Sequence, residues 1–312
     1  MLNILKLKSF CLVSFALVAC SNSSNPVSPD AEMRMSGSPG TAEQAQSNKS
    51  TIRFPVLKAL NDTGIVFGGD YPKGINDDCS GAVDPSHHWA ENEEFSELTY
   101  RGQDCEWGRD VTDPDNEDGH AGFSYLKISD SGLALDPSAA KWSCVLDQVS
   151  GLMWEVKKPG NQVKADGGLH DADDVYSWYS NDWDINGGAV GNWGRHNALC
   201  SGYTNGESST YCNTESFVNR VNANGLCSFT DWRIPTVAEL NSLVNFGVTE
   251  PAIDQKFFPN TQGAPYWSSS LIADSTDRAR YVNFRFGQTI WSPRREFYRI
   301  RLVRDIESRE GE

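Results

Sequence analysis

Apolar and polar positions follow clear helical and alternating periods mainly in the second half of the chain. Thr236-Val237-Ala238-Glu239 reads as a capping box, in which Thr236 caps the amide of Glu239 and Glu239 returns to the amide of Thr236. Leu240, Leu243 and Val244 then share one helical face, and Gly247 is placed for a left-handed stop. A second helix is predicted over 215–223, capped by Thr214, burying Phe217, Val218 and Val221, and ending at Gly225. Strands are predicted at 151–156, 266–270, 280–286, 289–292 and 298–303. Across 280–286, Val282, Phe284 and Phe286 alternate against Tyr281, Asn283 and Arg285, and Gly287-Gln288 supplies a tight hairpin turn. Short elements of both kinds, separated by long polar connections, predict an α+β fold that is irregular and loop-rich. No internal repeat of solenoid length is visible.

The N-terminal pattern is of another kind. Lys6 and Lys8 precede an apolar run over 10–18 that ends in Leu17-Val18-Ala19-Cys20. A membrane span needs roughly 20 apolar residues, more than this run provides. Small or apolar residues before a cysteine are what a lipoprotein signal peptidase accepts, so residues 1–19 are expected to be a signal peptide and Cys20 to be lipidated. Diacylglycerol plus an N-terminal acyl chain would meet the two-signal requirement for stable anchoring. Ser21, rather than Asp, follows the cysteine; the resemblance to Gram-negative lipoproteins sorted in this way implies the outer membrane, lipid-anchored, at the cell surface or the periplasmic face, as the expected location. Residues 20–52 are rich in Ser, Asn, Pro, Ala and Gln and read as a lipidated flexible tether.

Charge and cysteine content narrow the class further. The chain carries a net charge of −15, which repels nucleic acid and anionic lipid at long range and argues against nucleic acid as a partner. The charge is uneven: 77–118 holds 14 acidic and 2 basic residues, while 271–304 holds 8 arginines and 3 acidic residues. The two flanks could pair with each other or be solvated faces. Of eight cysteines, Cys11 falls in the signal and Cys20 is the lipidation site. The six that remain, Cys79, Cys105, Cys144, Cys200, Cys212 and Cys227, form an even set in an exported chain and imply three disulfides among 15 connectivities. Short loops favour Cys79 with Cys105 and Cys200 with Cys212, leaving Cys144 with Cys227. No cysteine pair has zinc-site spacing.

Catalytic signatures are scarce. The chain contains no G-x-S-x-G, no H-E-x-x-H, no phosphate-binding glycine loop and no dinucleotide fingerprint, so no enzymatic activity is expected. His87-His88 and His170, the latter beside Asp171, Asp173 and Asp174, lack a second spaced histidine and read as structural or solvated. Asp182-Trp183-Asp184-Ile185-Asn186-Gly187 matches the first half of a calcium loop, which makes Asp182, Asp184 and Asn186 candidate calcium ligands. The twelfth position is Trp193 rather than Glu, and Gly187-Gly188 also suits an ordinary turn. The acidic run Asp113, Asp115, Glu117 and Asp118 has its glycine one position late for such a loop. Trp178, Tyr179, Trp183 and Trp193 crowd into a polar, Gly-rich stretch; they can fill the core of a loop-rich domain or stack on sugars.

Four ordered segments carry a family resemblance: WSCVLDQVSGLMWEVK at 142–157, CNTESFVNRVNANGLCSFTDWRIPTVAELNSLV at 212–244, FFPNTQGAPYWSSS at 257–270, and RYVNFRFGQ at 280–288 through RIRLVR at 299–304. They resemble the Lcl C-terminal domain family, named from the end of a Legionella collagen-like adhesin and long described as a domain of unknown function. DTG at 62–64 and GQDCEW at 102–107 resemble the region that often precedes this domain in exported proteins. The DWRIPTVAEL block is also similar to the turn and helix of sulfatase-modifying-factor and C-type-lectin-like folds. That resemblance implies a compact, irregular α+β domain, C-type-lectin-like, with one capped helix packed on twisted strands. The cysteine pair used by formylglycine-generating members is missing, since no cysteine follows Cys227.

The division expected is a signal peptide at 1–19, a tether at 20–52, an acidic N-terminal region at 53–140, an Lcl C-terminal-like domain at 141–305 and a tail at 306–312. The resemblance implies adhesion, sulfated glycosaminoglycans being the ligand of the founding adhesin. The expected function is therefore recognition of carbohydrate or extracellular matrix by an exported lipoprotein held to the membrane by its anchor. The alternatives are a structural or assembly lipoprotein that binds another envelope protein, and an unrecognised hydrolase. Arg285, Arg294, Arg295 and Arg299 are the candidate ligand-binding residues, because guanidinium groups pair bidentately with carboxylate or sulfate.

Overall fold

The computed structural model describes residues 61–70, 74–76, 104–113, 115–195 and 198–306, all within the unit Arg53–Glu312. The signal, the tether, Cys20, Cys79, His87 and His88 lie outside the described residues. In chain order the elements are β1 (Gly68–Asp70), β2 (Gly74–Asn76), α1 (Asp104–Trp107), α2 (Arg109–Thr112), β3 (Tyr125–Ile128), β4 (Cys144–Asp147), β5 (Leu152–Glu155), α3 (Trp183–Asn186), α4 (Thr214–Asn224), α5 (Val237–Asn241), β6 (Pro265–Ile272), β7 (Ser275–Asn283), β8 (Gln288–Pro293) and β9 (Val303–Asp305). The fold is α+β and disulfide-bonded.

A four-stranded antiparallel sheet in the order β3-β4-β5-β9 organises the packing. Side chains alternate between its faces. Tyr125, Val145, Leu152, Trp154 and Val303 enter one core with Leu240, Leu243, Val244, Phe257, Phe258, Tyr266, Val282 and Phe284. Their neighbours Ile128, Cys144, Met153 and Leu302 enter a second core with Tyr176, Phe217, Val221, Trp232 and Ile300. Being covered on both faces, β5 is buried at every position, which is why its sequence reads as an apolar run rather than an alternation. Each large side chain buried in this way contributes about 1.5–3 kcal/mol of transfer free energy. The meander β6-β7-β8 packs its Tyr266 and Val282 into the first core and its Trp267 and Ala279 against Trp178.

The capping box is present at α5: Thr236 accepts from the Glu239 amide at 3.2 Å, and Glu239 accepts from the Thr236 amide at 2.7 Å. Glu239 also takes a two-pronged ion pair from Arg233, which reaches Asp305 as well and so ties α5 to β9. The helix stops at Asn241, ahead of the expected Gly247. Gly247 instead lets the carbonyl of Gly64 approach where a Cβ would stand. The cap of α4 is Asn213 rather than Thr214, with the Asn213 side chain accepting from the Ser216 amide. Strand β7 ends at Asn283, paired with Gln288, so the expected two-residue turn is a four-residue one over 284–287, and Phe286 falls in it and is exposed. The strand expected at 298–303 is reduced to isolated bridges at Tyr298 and Arg299 before β9 begins.

Two disulfides lie within the domain, Cys144–Cys227 and Cys200–Cys212. The first joins β4 to the turn after α4 across 83 residues; the second closes a short loop just before α4. Each contributes about 2–4 kcal/mol, largely by restricting the unfolded chain. Cys105 is also disulfide-bonded, and Cys79, expected as its partner, is outside the described residues.

Candidate functional site

The stretch 177–195 leaves the core and returns as an irregular hairpin. Ser177 bridges Asn213, the Ser180 amide donates to the Val190 carbonyl at 2.9 Å, and the Asn192 amide donates to the Trp178 carbonyl at 2.9 Å. The glycines of this stretch are required by position. Gly191 and Gly194 both have φ in the left-handed region, and a Cβ on either would meet the Trp178 or Cys212 carbonyl. The hairpin is thus held against the end of the Cys200–Cys212 loop.

Two aromatic residues of the hairpin go inward and two stay out. Trp178 is 2% exposed; its indole N–H donates to the Ser268 carbonyl at 2.9 Å, and the Arg294 guanidinium lies 4.2 Å from its ring. Tyr179 is buried with its hydroxyl at the surface edge, donating to Asn181 Oδ1 at 2.8 Å. Trp193 is 48% exposed and Trp183, on α3, 74% exposed.

Trp193 is the middle of a row of rings. Tyr179 meets it edge to face at 5.9 Å between centroids, Tyr211 lies 6.5 Å from it, and Tyr203 lies 6.2 Å from Tyr211. Tyr203 and Tyr211 belong to the loop closed by Cys200–Cys212, so this disulfide positions half of the row. Polar groups fringe it: Tyr203 donates to the Arg195 carbonyl at 2.6 Å, Asn213 to the Trp193 carbonyl at 2.8 Å, and the Asn181 amides to Glu215. Tyr179 and Tyr211 are buried, so the half-exposed Trp193, bordered by hydrogen-bonding groups, is the ring that can meet a ligand apolar on one side and polar at its rim.

A family model described as the Lcl C-terminal domain matches residues 143–304, just over half of the chain. The chain belongs to the Lcl C-terminal domain family. No curated protein matches the chain.

The aromatic row, both described disulfides and, of the four-stranded sheet, all but β3 and the end of β9 lie within the Lcl C-terminal domain. Inside it the arginines named from the sequence are dispersed rather than gathered. Arg294 is buried, donating to the carbonyls of Ala189, Asn186 and Arg278. It faces inward, against the expectation of a surface residue, because Trp178 offers its ring and three carbonyls need a donor. Arg299 is half-buried and donates to the Ala172 carbonyl at 3.1 Å. Arg285 is exposed and paired with Glu250 at 2.9 Å, and Arg295 is exposed beside Glu296. The other ion pairs described for the basic flank run to Asp277 and Asp231.

The calcium half-motif of the Lcl C-terminal domain forms a helical turn rather than an open loop. Asp182 caps α3 by accepting from the Asp184 amide at 3.0 Å. Asn186 is buried, donating to the Ser180 carbonyl and accepting from the Gly188 amide. Two of the three candidate ligands are therefore already engaged, and no group of three His, Cys, Asp or Glu side chains that could hold a metal occurs among the described residues.

His170 joins a buried ionic centre. Glu155 Oε1 accepts from Lys157 and from His170, each at 2.8 Å, and Oε2 accepts from the Leu302 amide at 2.9 Å. Burial alone would raise the Glu155 pKa, but the Lys157 charge and the His170 hydrogen bond outweigh it and bring the carboxyl down to about 2. Arg301 closes the centre by donating to the Glu155 carbonyl at 2.7 Å. The neighbouring Asp171, Asp173 and Asp174 are buried and accept from the amides of Gly167, Gln162 and Ala165, which pins the loop over 159–170. These contacts are internal and describe a structural core.

Sequence reasoning overlooked Tyr203 and Tyr211. Their signal was that both sit inside the short loop between two cysteines, directly before a capped helix.

Proposed function

We propose that this chain is an exported, lipid-anchored envelope protein whose Lcl C-terminal domain is an adhesin-like module for recognising carbohydrate, binding its ligand without chemical turnover. The observation that carries the reading is the half-exposed ring of Trp193, set among Tyr179, Tyr211 and Tyr203 with a hydrogen-bonding rim. Sugar rings present axial C–H groups that fit the negative face of an indole, and hydroxyls that fit the rim. A stacked pair is worth about 0.5–1.5 kcal/mol beyond area burial, and Trp193 offers the most surface for it, Tyr203 being partly exposed and Tyr179 and Tyr211 buried behind it.

Export rests on the apolar run before Cys20 and on disulfides, which persist in oxidising compartments. Among the described residues no helix is long and apolar enough to cross a membrane. The test is a glycan array probed with the protein and with Trp193→Ala. Retained melting temperature with at least tenfold weaker glycan binding is expected, about 1.4 kcal/mol or more; array binding that ignores the substitution would remove the reading. Fatty-acid labelling abolished by Cys20→Ala, and protease shaving of intact cells, check anchor and display in turn.

A further inference from the structure

The charges around the aromatic row narrow the ligand, provided that the carbohydrate reading above holds. The row is built from 179–195 and 200–215, and these two segments contain Asp182, Asp184, Glu207 and Glu215 against Arg195 alone. Asp184, beside the exposed Trp183, and Glu207, in the loop that carries Tyr203 and Tyr211, are both exposed. Neither carboxylate has a hydrogen-bond or ion-pair partner among the described residues. Glu215 extends negative charge to the Tyr179 end: it accepts from both amides of Asn181, whose oxygen accepts from the Tyr179 hydroxyl. Arg195 already has an interaction of its own. Nearby Arg220 is spent on the Ser201 carbonyl and the sulfur of Cys200.

The half-exposed Trp193 ring therefore belongs to segments whose exposed carboxylates can only accept hydrogen bonds. A sulfated or uronic-acid polymer brings more anions to such a site. Neutral hydroxyls satisfy it in part, and ammonium groups satisfy it fully, adding charge to the hydrogen bond. The net charge of −15 acts in the same sense at longer range, drawing in a polycation and repelling a polyanion. We propose that the aromatic row binds a glycan with free amino groups, a de-N-acetylated amino-sugar polymer.

The experiment titrates the full-length protein in neutral detergent with three probes, following tryptophan fluorescence and heat: a β-linked glucosamine hexamer, its fully N-acetylated counterpart, and a sulfated hexamer of equal length. The glucosamine hexamer is expected to bind about tenfold more tightly than the acetylated one at low ionic strength. The preference should shrink to about twofold in about 0.5 M salt, as screened charge requires. Asp184→Asn combined with Glu207→Gln should cut the preference about threefold or more, and Trp193→Ala should weaken both amino-sugar probes together. Equal or stronger binding of the acetylated hexamer, or preference for the sulfated one, overturns the amine assignment and leaves carbohydrate recognition standing. Absence of binding to all three, on an array as well as in solution, overturns both.

Discussion

The buried centre around Glu155 and the aromatic row around Trp193 use similar materials to opposite ends. Each combines carboxylates with aromatic rings. At Glu155, Lys157 and His170 close on the carboxylate and Lys157 lies 4.5 Å from the Phe217 ring. At the row, the buried Tyr179 and Tyr211 pack against Trp193, which stays half-exposed, and two carboxylates stand in solvent. Burial makes the difference. An ion removed from water must find its partners within the protein or cost several kcal/mol, whereas an exposed ring or carboxylate can wait for a partner from outside.

That contrast can be broken most forcefully at Glu155. Glu155→Gln leaves Lys157 buried without a counter-charge, and the expected loss is about 3–5 kcal/mol, read as a large drop in denaturant midpoint. The pH dependence follows from the sign of the shift. The Glu155 pKa lies near 2 when folded, below its ordinary 4.5. The associated stability is therefore present in full above about pH 4.5 and lost as pH falls toward 2. Acid titration of the wild type should show this loss and the variant should lack it; a variant as stable as wild type at pH 7 would contradict the structural role.

The Cys200–Cys212 bond lies on the aromatic-row side of the contrast. Cys200→Ala with Cys212→Ala should cost about 2–4 kcal/mol and also weaken glycan binding at temperatures where the domain stays folded, because Tyr203 and Tyr211 lose their frame. Smaller effects separate the arginines. Arg294→Ala removes the guanidinium over Trp178 and the donor to three carbonyls, with an expected cost of about 1.5–3 kcal/mol, whereas Arg295→Ala should stay within about 0.5 kcal/mol. Paired thermal melts decide it, and equal costs would mean that the inward setting of Arg294 is wrong.

Local chemistry determined a good part of the molecule from the sequence by itself. The Thr236–Glu239 capping box, the helix ending at Gly225, the alternation through Val282 and Phe284, and the four segments of the Lcl C-terminal domain family are all legible. Such signals depend on neighbours three or four residues away on a helix, or two away on a strand. Boundaries were less legible where a distant contact intervenes: α5 ends at Asn241, and Gly247 serves the close approach of the Gly64 carbonyl rather than a helix stop.

Only tertiary structure decided which aromatics and arginines face outward. Trp178 and Trp193 stand in equally polar, Gly-rich surroundings, but Trp178 meets a carbonyl 90 residues away and a guanidinium beyond it, whereas Trp193 packs on Tyr179 and Tyr211 and stays half-exposed. Arg294 and Arg295 are adjacent in the chain, and one is buried while the other is exposed. A residue's composition and period describe what it can bury; whether it is buried depends on which partners the fold brings to it, and these come from far along the chain.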